Sequence, residues 1–169
     1  VLDDGATLTL NNGSSVIGTI NGQSANGEGT LAIADSSAVS VTSAIGGTYS
    51  LGEITLGNAS TLTTTTSNIS ASAITLDTGS IFNIGSATIV GTIDSVSASD
   101  FGTVNFTDNN TITSDIGATN NILSLTVADA KTLTANASIS ATGFTIGTGS
   151  EISLGNGSSL TVGSGGISG

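Results

Sequence analysis

The chain has no cysteine, proline, methionine, tryptophan or histidine, and a single basic residue, Lys131, among its 169 positions. Each absence excludes something. Without cysteine there are no disulfides, thiolate nucleophiles or cysteine-based metal sites. Without histidine or arginine, imidazole bases, nucleophilic triads and guanidinium clamps are out of reach. The net charge is −11. Nucleic-acid binding draws much of its affinity from Lys and Arg on phosphates, so no nucleic-acid partner is expected. Attachment to an anionic membrane surface fails for the same reason. No stretch approaches the roughly 18–20 apolar residues of a membrane span, so direct membrane insertion is not expected either. Charged residues are 8% of the chain, against about 25% in an ordinary domain. Yet 37% is hydrophobic, whereas disorder goes with low hydrophobicity and high charge. The chain folds, and its length suits one domain spanning 1–169. It opens on Val1, with neither an initiating Met nor a secretory leader, which reads as a segment processed or cut from a longer chain.

What is present is alternation in short bursts. Thr7-Leu8-Thr9-Leu10, Glu53-Ile54-Thr55-Leu56, Ile74-Thr75-Leu76, Leu123-Ser124-Leu125-Thr126-Val127, Phe144-Thr145-Ile146, Ile152-Ser153-Leu154 and Leu160-Thr161-Val162 all have the period of a strand. An apolar residue at every second position faces inward, with Thr, Ser or Asn outward. The expected core is therefore Leu8, Leu10, Ile54, Leu56, Ile74, Leu76, Leu125, Val127, Phe144, Ile146, Ile152 and Leu154. Between bursts lie 11–15, 57–60, 77–80, 147–150 and 155–159, rich in Gly, Asn, Asp and Ser, which tolerate the left-handed backbone of tight corners.

The bursts repeat at two levels. Gly29–Ile33 matches Gly102–Phe106 at a shift of 73, Ile45-Gly46 and Thr61-Leu62-Thr63 match Ile116-Gly117 and Thr132-Leu133-Thr134 at 71, and Ile69-Ser70-Ala71 matches Ile139-Ser140-Ala141 at 70. Leu10–Val16 matches Leu154–Leu160 at 144. Repeat units of about 72 residues follow, near 5–77, 78–148 and a partial 149–169. Inside each, strand signals recur every 20–24 residues, one coil of three short strands. The expected fold is all-β, a right-handed parallel β-solenoid (β-helix) stabilised by stacking of neighbouring coils. An antiparallel β-sandwich is the alternative; it gives no reason for the duplication and usually needs more aromatics than 3%.

Blocks such as 54–63, 114–127 and 157–163 resemble passenger repeats of bacterial autotransporters, in the style of rickettsial-type outer-membrane surface antigens. The resemblance covers the whole chain and implies a secreted, surface-displayed β-helix serving adhesion, coat formation or aggregation. It implies an extracellular or cell-surface location, with a host or matrix surface as partner.

Candidate chemistry is sparse. Two carboxylates suffice for glycoside hydrolysis, but among the twelve acids, Asp100 included, Asp35 and Asp108 sit at equivalent repeat positions, as corner residues do. No enzyme is expected. Calcium takes oxygen ligands, and Asp108-Asn109-Asn110 and Asp3-Asp4 are its candidates, without an EF-hand or β-roll loop; no other cofactor is indicated. Asn12, Asn58, Asn68, Asn105, Asn109, Asn136 and Asn156 open glycosylation sequons, close to the number that abundant Ser and Thr produce by chance. The pairs Thr7/Thr9, Thr61/Thr63, Thr111/Thr113 and Thr132/Thr134 would mark an ice-binding solenoid if they shared one flat face. Neither terminus carries the Lys or Pro that blunts sheet edges. The expected role is structural or adhesive: a surface stalk or coat element, or else a self-polymerising filament subunit, with ends that abut flanking repeats or another copy.

Overall fold

The computed structural model describes residues 1–66, 68–98 and 101–169. They form a parallel β-solenoid of about eight turns, with coils of about 21 residues. The strands are β1 (Thr7–Leu10), β2 (Ser15–Val16), β3 (Glu28–Ile33), β4 (Ala38–Val41), β5 (Leu51–Leu56), β6 (Thr61–Thr66), β7 (Ile69–Leu76) and β8 (Ile81–Ser95). They continue as β9 (Phe101–Phe106), β10 (Asn110–Ile112), β11 (Ile122–Val127), β12 (Thr132–Ala135), β13 (Ile139–Ile146), β14 (Glu151–Leu154) and β15 (Leu160–Ser168). Every pairing among the described residues is parallel, which sets the antiparallel sandwich aside.

Three faces wrap a narrow core, and each carries an inward column of stacked apolar side chains. The first face runs Leu8, Leu31, Ile54, Ile74, Ile93 and continues through Ile116 and Ile139 to Leu160. The second runs Val39, Leu62, Phe82, Val104, Leu125, Phe144, Ile167. The third runs Ile20, Ile45, Ile69, Ile89, Ile112, Ala135, Leu154. β-Branched and leucine side chains suit this geometry because they fill a pleated, two-sided stack without needing width. Full burial of each contributes roughly 1.5–3 kcal/mol.

Of the residues expected in the core, Ile54, Leu56, Ile74, Leu76, Leu125, Val127, Phe144 and Leu10 are buried. Leu8, Ile146 and Ile152 are half-buried against the core. Leu154 departs from expectation: it is 42% exposed. Its column is inward, above buried Ala135, but no described coil covers it. Leu123, read as sharing a face with Leu125, is exposed instead. The pairing skips it, from Ile122 to Ser124, because β11 turns a corner there and the alternation restarts.

Residues matched by the 72-residue reading do not stack on the same face. Leu31 belongs to the first column, while its match Val104 lies in the second. Leu62 lies in the second and its match Leu133 on the third. Ile45 lies in the third and Ile116 in the first. One such unit therefore makes three coils and then one face more. The change of phase coincides with β8, which passes through all three faces as one strand, pairing at 81–84, 87–89 and 92–95.

Candidate functional site

The corners are where the polar side chains converge. In the commonest corner, the fourth residue's N–H donates to the first residue's carbonyl: Ser14 to Asn11, Ser60 to Gly57, Ser80 to Asp77 and Ser150 to Gly147, at 3.0–3.1 Å. The third position is left-handed, as at Gly13, Gly79 and Gly157, and also at Ser36, Ala59 and Ala130. A left-handed conformation costs an L-residue roughly 1–2 kcal/mol. The return is visible in the next coil, where the N–H of Ser36 reaches the carbonyl of Asn58 (2.8 Å) and that of Ala59 reaches Thr78 (2.8 Å).

Asp and Asn side chains stitch coil to coil. Asp35 Oδ1 accepts the N–H of Asn58 at 2.9 Å, and Asn12 Oδ1 that of Ala38 at 3.0 Å. Asp94 Oδ1 accepts from Thr119, Asp115 from Ser138 and Asp129 from Thr148, at 2.8–2.9 Å. These clasps join residues 19 to 26 positions apart, so no local motif announces them.

The calcium candidates are part of the same stitching. Asp108 Oδ1 accepts from Lys131 Nζ and from the N–H of Asn109, at 2.9 and 2.8 Å. Asn109 Oδ1 accepts from Thr132, and Asn110 Oδ1 from Ala87. Their oxygens thus diverge toward different coils, and the lysine ammonium already faces the carboxylate, holding its pKa below the usual range. Asp3 Oδ1 accepts from the N–H of Asp4. Among the described residues no three acidic side chains gather as a metal site would require. Glu28 folds back onto its own loop and accepts the N–H groups of Ser24 (2.7 Å) and Ala25 (3.1 Å), which lowers its pKa. A shallow groove lined by Asp35, Glu53, Asp77 and Val96 is the most acidic hollow described. Within it each carboxylate has a local partner: Asn58 N–H, Thr75 hydroxyl and Thr78 N–H respectively. Asp100 lies outside the described residues. Of the sequon asparagines, Asn105 is half-buried and donates its Nδ2 to Asn83 Oδ1 at 2.9 Å; the other six are exposed.

The Thr-x-Thr pairs do not share a face. Thr7/Thr9 lie on the first, Thr61/Thr63 on the second, and Thr111/Thr113 and Thr132/Thr134 on the third. The second face has a property that composition conceals. Its outward row, Ser15, Ser40, Thr63, Asn83, Asn105, Thr126, Thr145, Ser168, runs the length of the solenoid without a charge. Several neighbours in it are bonded side chain to side chain, including Asn83 to Thr63 at 3.3 Å.

The two ends differ from the body. At the start, Leu2, Leu8 and Val16 are only partly buried. At the finish, Ile152 and Leu160 are partly buried, and Leu154, Val162 and Ile167 are 42%, 37% and 59% exposed. All five sit in inward columns, above buried residues such as Ile139, Ala141 and Phe144. Compared with protein-family models, with curated proteins and with solved structures, the chain matches none.

Proposed function

We propose that this chain is a structural element, a length of β-solenoid that extends, coats or adheres at the outside of a cell. The observation that carries the reading is the use made of its polar groups. The Asp and Asn side chains that could act on a ligand are instead engaged in holding one coil to the next, as at Asp35, Asp94, Asp115 and Asp129. A rod of this kind offers length and lateral area, and its low charge and hydroxyl-rich faces suit contact with a matrix or neighbouring surface. Ice binding is less favoured, because the Thr pairs are spread over three faces.

Immunogold labelling of intact cells tests the location, with an antibody raised against the folded chain. Label on unpermeabilised cells, lost on treatment with external protease, agrees with the reading. Label seen only after permeabilisation would defeat it.

A further inference from the structure

We infer that the second face is a contact surface for a second copy of this chain, two solenoids lying side by side with these faces together. This rests on the structural reading above and names its partner.

Charge distribution is the first observation. The chain carries twelve acids and one lysine. The segments that make the second face, 15–16, 38–41, 61–64, 81–84, 103–106, 124–127, 143–146 and 166–168, contain none of them. The other two faces do present charge. Glu53, beside Thr30 and Ala73, and Asp94, beside Thr75, lie on the first, and Glu151, beside Thr132, on the third. Asp35, Asp77, Asp108 and Asp129 stand in corners that border the second face, at the rim of any contact it makes. Two copies meeting through their first or third faces bring carboxylate toward carboxylate, which costs affinity. Through their second faces they do not.

Hydrogen bonding points the same way. Along the outward row the Ser40 hydroxyl donates to Ser15 (3.2 Å), Asn83 Nδ2 to Thr63 (3.3 Å) and Asn105 Nδ2 to Asn83 Oδ1 (2.9 Å), and the Thr145 and Ser168 hydroxyls are bonded at 3.4 Å. Groups paired along the row can lose water without being left unsatisfied, so covering them costs little. A glycan or an ice surface would need those same donors, which are already engaged with each other. The flanking outward row, Ala38, Thr61, Ile81, Thr103, Ser124 and Gly143, holds no long or charged side chain, and a partner's sheet can approach closely. Eight strands stacked at ~4.8 Å, each about four residues wide at ~3.3 Å, present roughly 500 Å² per copy. The pair would cover about 1,000 Å², the lower limit for a specific interface, so the association is reversible. A two-fold pair of like faces is closed and stops at two copies.

Sedimentation velocity over a range of protein and salt concentrations, with X-ray scattering on the same samples, tests this. The expected result is a monomer–dimer equilibrium, strengthened by salt because the rim carboxylates repel. The dimer should keep the monomer's length and widen its cross-section. Thr63→Glu and Thr126→Glu, on the outward side of the second face, should each raise the dissociation constant at least about tenfold, and Thr111→Glu, outward on the third, should leave it within about twofold. Because the chain has no cysteine, a single nitroxide can be attached at Thr126→Cys or at Thr111→Cys. The distance between labels in the pair should be shorter at Thr126. Monomers at every concentration, a dimer of doubled length, indifference to both second-face charges, or labels closer at Thr111 would each overturn the inference. Monomers that never pair but are retained on insoluble cellulose or starch would also overturn it, giving the face to a neutral glycan. None of these outcomes alters the labelling of intact cells, so the pairing and the surface reading fail separately.

Discussion

Gly46 and Gly149 allow a controlled test of how closely the coils approach. Both are left-handed, φ 68° and 70°. A methyl group at Gly149 would meet nothing within 4 Å, whereas at Gly46 it would lie 1.9 Å from the carbonyl oxygen of Ser70. The backbone penalty is common to both, roughly 1–2 kcal/mol for an L-residue in this region. It is offset by about 0.4–1 kcal/mol from the stiffer unfolded chain. Gly149→Ala should therefore cost roughly 0–1.6 kcal/mol. At Gly46 the clash is with backbone, and relief requires separating the coils. That breaks the two bonds joining these coils at the contact, Ser70 N–H to the Ile45 carbonyl (2.8 Å) and Ile45 N–H to the Asn68 carbonyl (3.1 Å). A buried polar group left unpaired costs about 1–3 kcal/mol, so Gly46→Ala should cost roughly 3–6 kcal/mol in total. At about 2–4 °C per kcal/mol for a chain of this size, the melting point should fall by no more than about 6 °C for Gly149→Ala and by roughly 6–24 °C for Gly46→Ala. A methyl group at Gly117, matched to Gly46 but on another face, would lie 2.1 Å from the carbonyl oxygen of Ser140, so Gly117→Ala should behave like Gly46→Ala. Thermal melts followed by circular dichroism would decide. Equal shifts for Gly46→Ala and Gly149→Ala would refute the inferred contact.

Other outcomes follow from the same structure. Leu125→Ala should cost about 3–5 kcal/mol and Leu125→Asp more, since it buries a charge; hydrogen exchange should rise in the coils carrying Val104 and Phe144, its neighbours in the column, and melting like the parent would contradict the inward placement. Asp108 and Glu28 both have lowered pKa values in the folded chain, so their contribution is present above the ordinary carboxylate values and is lost as pH falls through the folded ones. Lys131→Met should accordingly lower the urea midpoint at neutral pH and leave it unchanged well below pH 3.8; an equal effect at both would deny the pairing. At Asn12-Gly13 the asparagine oxygen and the glycine N–H are both held by Ala38, whereas at Asn156-Gly157 they are free among the described residues. Peptide mapping of aged monomer should find deamidation at Asn156 well ahead of Asn12, and the reverse order would mean that Asn156 is covered.

The strands and their inward sides were legible wherever alternation ran uninterrupted, as in β5 and at the end of β7. It failed at corners. Leu123 was misread because the period restarts between Ile122 and Ser124, and β8 could not be anticipated as one strand because nothing at 85–91 resembles the Asn-Gly-Ser corners elsewhere. Leu154 has the right pattern and the wrong surroundings, since exposure depends on what stacks above. The clasps were invisible for a different reason: Asp35 and Asn58 are neighbours only after a full coil has been wound. Sequence placed the acids at corners but could not say that each would meet a backbone N–H from the next coil.

The extra face gained by each repeat has a mechanical consequence. A seam of unlike corners kept on one side would bend a long solenoid toward or away from that side. In this chain the seam moves on instead. It joins the first and second faces at 34–37 and 57–60, the second and third at 128–131 and 147–150, and the third and first at 155–158. A run of such units is a threefold screw, advancing about 16 Å per unit at ~4.8 Å per coil. Across three such units any curvature set by the seam would cancel, and any group the repeat carries would be presented at three azimuths rather than along one edge.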